Sequence, residues 1–311
     1  MADSPTNDPS QYLDPKVLEK IKHLDVRARL VVEGFITGQH KSPFSGFAVE
    51  FAGHREYAPG DELKHIDWKV WSKTDRLYIK EYEEETNLSC SIIVDASKSM
   101  AYRSGGEGSW SKFDYVATAA ASLTHLLQRQ QDAVGMVTFN TEVTQNLPPS
   151  SRPIQLKRMV HELGEMQPDD KTDVGHVFLE LAKQIQQRGM VVLFSDLFTD
   201  LKHLRESLQQ FRLRRHEVIV MHVMHDDELN FPFDSHTRFL GLETTDQVHA
   251  DPRALRKSYL KIVEDYLTEV RKICSSLGAD YTLMNTKDSL DASLSRYLAF
   301  RQRHTRGARR G

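Results

Sequence analysis

The sequence predicts an α/β fold: a doubly wound, mainly parallel sheet with helices on both faces and one antiparallel edge strand, preceded by an irregular N-terminal α+β segment. Three observations carry this. From residue 90 onward, short apolar runs alternate with stretches of helical period, the pattern of βα repeats. Several of the runs are continuously apolar rather than alternating, as strands buried on both faces require. One strand pair, AVGMVTFN at 133–140 and EVTQNL at 142–147, is separated by a single Thr, which only a hairpin can bridge, so one edge strand must run antiparallel.

Taken in order, residues 1–14 are rich in Pro, Asp and Ser and read as disordered. Residues 15–88 form a helix followed by an irregular segment. The helix, expected over 15–34, carries Val17, Leu18, Ile21, Leu24 and Val31 at helical spacing, with Pro15 in its first turn and Gly34 as its stop. The segment after it is rich in Gly and aromatics, with strand-like AVEF and LYIKEY on either side of a Pro-Gly-Asp turn. Residues 89–304 hold the main domain. Its strands are expected at 90–95, 133–140, 142–147, 190–196, 217–224 and 280–285, and its helices at about 112–130, 153–164, 174–188, 200–213, 254–277 and 288–304. Residues 305–311 complete a basic tail that reads as a solvated terminus.

The bulk numbers narrow the function. A net charge of -3 gives no electrostatic case for nucleic acid or an anionic membrane as partner. Two distant cysteines, Cys90 and Cys274, make neither a disulfide framework nor a zinc cluster and suit a reducing compartment. No apolar run approaches the ~20 residues of a membrane span. The opening MADSPTNDPS is polar and acidic, unlike a secretory signal, so a cytoplasmic location is expected.

In an open parallel sheet, ligands bind outside the carboxyl ends of the strands, where strand order reverses. The residues just past each apolar run therefore matter most. The first strand ends in Asp95, Ser97 and Ser99, and the strand MVVLF ends in Ser195 and Asp196. Thr172 and Asp173 stand at a helix start in the loop QPDDKTDVG. These groups are expected to meet on one rim, where carboxylate and hydroxyl oxygens suit a hard dication, Mg²⁺ or Mn²⁺. A local alternative is that Asp95 and Ser97 merely cap the following turn, and that Thr172 and Asp196 cap helices. His222 and His225 fall on opposite faces by strand period and are expected to be surface-loop residues, with His225 at most bordering the rim.

DASKSM, KTDVG and FSD resemble the metal-ion-dependent adhesion site of the von Willebrand factor type A fold. That resemblance implies a metal shell of Asp95, Ser97, Ser99, Thr172 and Asp196, although Lys171 stands where the family usually has Gly. Upstream, Tyr57, Gly60, Asp61, Ile66, Asp67, Trp68, Leu77, Lys80 and Glu81 match the pattern of the bacterial domain-of-unknown-function 58 family, and HVMHDDELNFPF and RFLGLET are similar to it downstream. Members often appear beside MoxR-type AAA+ ATPases. The resemblance thus implies an adaptor whose rim metal receives an Asp or Glu carboxylate from a protein partner, such a MoxR-type ATPase among the possibilities. The rival expectation is a metal-assisted hydrolase with Asp173 or His225 as general base.

Overall fold

The computed structural model describes residues 23–39, 53–56, 71, 77–81, 88–105, 109–168, 174–185, 187–235, 237–241 and 247–290. The chain divides into two units, residues 44–87 and the remainder. In the smaller unit, β1 (Gly53–Glu56) pairs antiparallel with β2 (Tyr78–Glu81). The strand expected at AVEF, the Gly60-Asp61 to Trp68 stretch and the helix expected at 288–304 beyond residue 290 all lie outside the described residues.

In the larger unit, α1 spans Leu24–Gln39. It buries Leu24, Ala28, Val31 and Val32, one face at helical spacing. The helix runs through Gly34 instead of stopping there: an interior glycine costs about 1 kcal/mol relative to Ala but does not remove a hydrogen bond.

The main sheet has six strands. These are β3 (Ser89–Asp95), β4 (Ala133–Phe139), β5 (Val143–Ser150), β6 (Met190–Ser195), β7 (Glu217–Met224) and, after the small pair β8 (Thr237–Leu240) and β9 (Gln247–Ala250), β10 (Asp280–Asn285). Their order across the sheet is β10-β7-β6-β3-β4-β5, parallel throughout except for antiparallel β5 at the edge. This is the doubly wound sheet that the alternating runs predict. Connections run outward in both directions from β3 and β6, so the topological switch point lies between those two strands.

Helices α2 (Lys112–Arg129), α3 (Ile154–Glu165), α4 (Val174–Gln184), α5 (Leu201–Leu213), the short α6 (Asp226–Asn230) and α7 (Pro252–Ser276) complete the unit. Alternation along the central strands sorts the core into two layers. Ile92, Val94, Val192 and Phe194 pack with α1, α2 and α3. Ile93, Val191 and Leu193 pack with α4, α5 and α7. Strands buried on both faces place their ends at fixed heights, and that precision positions the rim. Among the described residues no helix is long and apolar enough to cross a membrane.

The antiparallel edge is irregular. β4 and β5 slip register between Val134 and Met136, around Gly135. A Cβ on Gly135 would lie 2.8 Å from the Leu147 carbonyl oxygen and from the nitrogen of Pro149, so only glycine lets β5 approach here. Gly135→Ala is expected to cost ~1–3 kcal/mol through the forced backbone shift. Urea denaturation of the variant against the wild type measures this; an unchanged midpoint would contradict the close approach.

Candidate functional site

Asp95 closes β3 and is fully buried. Its Oδ1 accepts the Ser97 N–H at 2.9 Å, and its Oδ2 accepts the Ser195 hydroxyl at 2.6 Å. Ser97 precedes a 3-10 turn at Lys98–Ala101, yet its side chain does not cap that turn. It faces Ser99 instead, the two Oγ atoms 3.0 Å apart. Both serines are buried. The local capping alternative therefore holds for Asp95, which closes an Asx-type turn, and fails for Ser97.

Asp196 follows β6, the strand next to β3, and is 1% exposed. Its Oδ1 accepts the Phe198 N–H at 3.3 Å, its Oδ2 accepts Lys112 Nζ at 2.8 Å, and Ser99 hydrogen-bonds to it through its side chain. The strand ends thus bring together Asp95, Ser97, Ser99 and Asp196, four of the five residues expected to form a metal shell. The fifth, Thr172, lies outside the described residues, as do Lys171 and Asp173.

The turn after β6 is over-determined. Leu197 is left-handed at φ 54, an unfavourable conformation for a leucine. Its N–H donates to Ser195 Oγ at 2.9 Å, and its carbonyl accepts the Tyr266 hydroxyl from α7. The carbonyl of Asp196 lies 2.9 Å from His222 Nε2. A carbonyl only accepts, so Nε2 carries the proton and Nδ1 accepts the Tyr281 hydroxyl at 2.9 Å. Burial keeps this imidazole neutral, its pKa down to about 4. His222 is thus an interior brace of the rim. His225 is also buried and caps α6, its Nδ1 accepting the Asp227 N–H. Neither is the surface-loop residue expected, because β7 is an inner strand, flanked by β10 and β6, and the chain turns straight from it into α6.

The charges at the rim are strongly opposed. Burial and then the Asp196 charge push the Asp95 carboxyl up to about 7, against the hydrogen bonds from Ser195 and Ser97. Burial alone would also push Asp196 up, but the Lys112 ammonium and the hydrogen bonds from Ser99 and Phe198 hold it below the usual carboxylate range. Lys112 has no exposed surface, and its Nζ also donates to Glu228 Oε1 at 2.8 Å. Sequence reasoning missed Ser195 as a bridging hydroxyl, and Lys112 and Glu228 altogether. One signal was available. Ser111 and Asp114 form a capping box, which places Lys112 in the first turn of α2, where the helix dipole repels a cation.

Among the described residues no three His, Cys, Asp or Glu side chains gather into a metal-binding group. A cation here would be held by two carboxylates and by hydroxyls, a set that suits hard, oxygen-seeking dications. In metal-free protein, the raised Asp95 carboxyl favours the fold below its unfolded value near 4, and that contribution is lost as pH rises through about 7. Asp95→Asn is therefore expected to gain on the wild type by a few degrees in Tm between pH 5 and pH 8 in EDTA. A pH-independent difference between the two melting curves would contradict the buried like-charge pair.

The chain is similar to several known proteins. A family model described as "Protein of unknown function DUF58" matches residues 53–268, more than half of the chain. An uncharacterised protein of Mycobacterium tuberculosis is 22% identical over 295 residues, covering 93% of this chain and 91% of that protein. The uncharacterised protein YeaD of Bacillus subtilis is 26% identical over 158 residues, 50% of this chain and 36% of its own length. Among solved structures, the conserved hypothetical protein BatB of Bacteroides thetaiotaomicron superposes with a TM-score of 0.45 at 15% identity, over 68% of this chain and 97% of that one. The Rpn10 VWA domain gives 0.40 at 12% identity, over 68% and 94%. The fold described above rests on strand order and register, independently of these superpositions.

Proposed function

The chain belongs to the DUF58 family, and we propose that it is a metal-dependent protein-binding module whose rim holds Mg²⁺, or Mn²⁺ in its place, and receives a carboxylate from a partner protein. The observation that carries this reading is the convergence of Asp95, Ser97, Ser99 and Asp196, all buried, at the switch point of a doubly wound sheet. Two acids confined in a poorly solvated place favour a dication to balance them. Hydroxyl oxygens complete its shell without cancelling its charge, so the ion stays attractive to an outside Asp or Glu. Thr172 is the further ligand this reading assigns, on the strength of its motif.

The residues of the chain have distinct parts in this scheme. Asp95 supplies the carboxylate fixed by Ser195 and by the Ser97 N–H. Ser97 and Ser99 present paired hydroxyls. Asp196 is anchored by its own turn and by Lys112. The partner is a protein with an exposed acidic side chain. An adaptor role beside a MoxR-type AAA+ ATPase is the specific form of the proposal, and the gene-neighbourhood habit of the resembled family is its support. Of the two general bases offered from sequence for the rival hydrolase, His225 has its Nδ1 engaged by the Asp227 N–H, and Asp173 lies outside the described residues.

Titration calorimetry with Mg²⁺ and Mn²⁺ tests the reading. Ser99→Ala, which leaves both hydrogen bonds to Asp95 in place, is expected to weaken binding about tenfold or more with the circular dichroism spectrum unchanged. Captured partner protein is expected to leave the wild type when EDTA is added and not to be captured by Asp95→Ala. Wild-type protein that binds neither ion, and a capture indifferent to EDTA, would remove the proposal.

A further inference from the structure

Lys112 does not belong where it is unless the rim needs it. It opens α2, at the end of the helix where the backbone dipole disfavours a cation, and no part of it reaches solvent. Its ammonium is 2.8 Å from Asp196 Oδ2 and 2.8 Å from Glu228 Oε1, and it lies 5.1 Å from the centre of the Phe198 ring. Glu228 is itself fixed: its second oxygen accepts the His225 N–H at 2.6 Å, and its carbonyl accepts the Tyr259 hydroxyl at 3.0 Å. Two elements far apart in sequence are thus built to hold one cation against a rim carboxylate.

We propose that Lys112 is a tethered counter-cation that competes with the dication for Asp196 and sets how tightly the rim holds its ion. The inference rests on the metal reading above and adds a residue to it. The Asp196 oxygen that faces Nζ is already committed to a positive charge, so a dication arriving at Asp95, Ser97 and Ser99 meets a rim whose second acid is partly neutralised. Glu228 acts in the opposite sense: it draws on the same ammonium and leaves Asp196 more of its charge. Lys112 and Glu228 together make ion binding reversible, and they keep the rim intact when no ion is present, because Asp196 is never left unpaired in a buried place.

The test is a pair of variants with opposite expected signs. Lys112→Met removes the competitor and is expected to tighten Mg²⁺ and Mn²⁺ binding about tenfold, the effect of one unit charge at close range in a poorly screened site. The same variant is expected to melt lower than wild type in EDTA and to gain more in Tm on adding Mg²⁺. Glu228→Gln leaves the ammonium to Asp196 alone and is expected to weaken binding severalfold. A merely structural role for the triad would weaken binding in both variants. Lys112→Met binding equal to or weaker than wild type, or Glu228→Gln binding equal or tighter, overturns the proposal while the metal reading stands. If Lys112→Met fails to fold, Lys112→Gln, which keeps a polar side chain there without the charge, takes its place: binding tighter than wild type supports the proposal, and equal or weaker binding overturns it. No measurable Mn²⁺ binding in wild type and both variants removes the metal reading and this inference with it.

Discussion

Two acids at the ends of adjacent strands cannot both sit charged and dry without help. Asp95 and Asp196 are buried side by side because β3 and β6 are neighbours at the switch point of the sheet. Each solution the molecule uses is visible as a contact. Asp95 is wrapped by a hydroxyl and a backbone N–H and is biased toward its neutral form. Asp196 is kept ionised by an ammonium. The asymmetry lets a single site hold a proton on one acid and a negative charge on the other, and a dication could satisfy both at once.

The second half of the structure supports that arrangement. Phe231 packs against Phe233, Phe239 and Tyr259, and Arg256 donates to the carbonyls of Phe231 and Phe233. This knot joins the β8–β9 pair to α6 and α7. It fixes α6, a helix of five residues that could not stand alone, and so aims Glu228 at Lys112. The backbone at 196–197 is braced by Tyr266 from α7, which donates to the Leu197 carbonyl, and by His222, which donates to the Asp196 carbonyl and is itself held by Tyr281 from β10.

Much of this was legible in the residues. The central strands were readable because burial on both faces leaves unbroken apolar runs such as Ile92-Ile93-Val94. Asp95, Ser97 and Ser99 stood out because they end such a run abruptly. Ion pairing is different: Lys112 and Glu228 are 116 positions apart and leave no periodic trace. His222 was misread because a histidine in an apolar strand looks like the strand's end until its two partners are seen. The β8–β9 pair escaped because strands of only four residues are too short to show the apolar signal that identifies the main sheet. Gly34 misled because a glycine stops a helix only when the chain beyond it favours leaving.

The edge formed by β5 has a consequence for how anything can dock. Its eight residues include Pro148 and Pro149 in succession, and a proline carries no N–H. An extended peptide seeking to join the sheet by β-augmentation would find that stretch of backbone short of donors. Register with β4 is also broken there, which bends the strand away from a flat template. That part of the flank is thereby a poor template for further growth, whether by a foreign strand or by a second molecule polymerising onto the first.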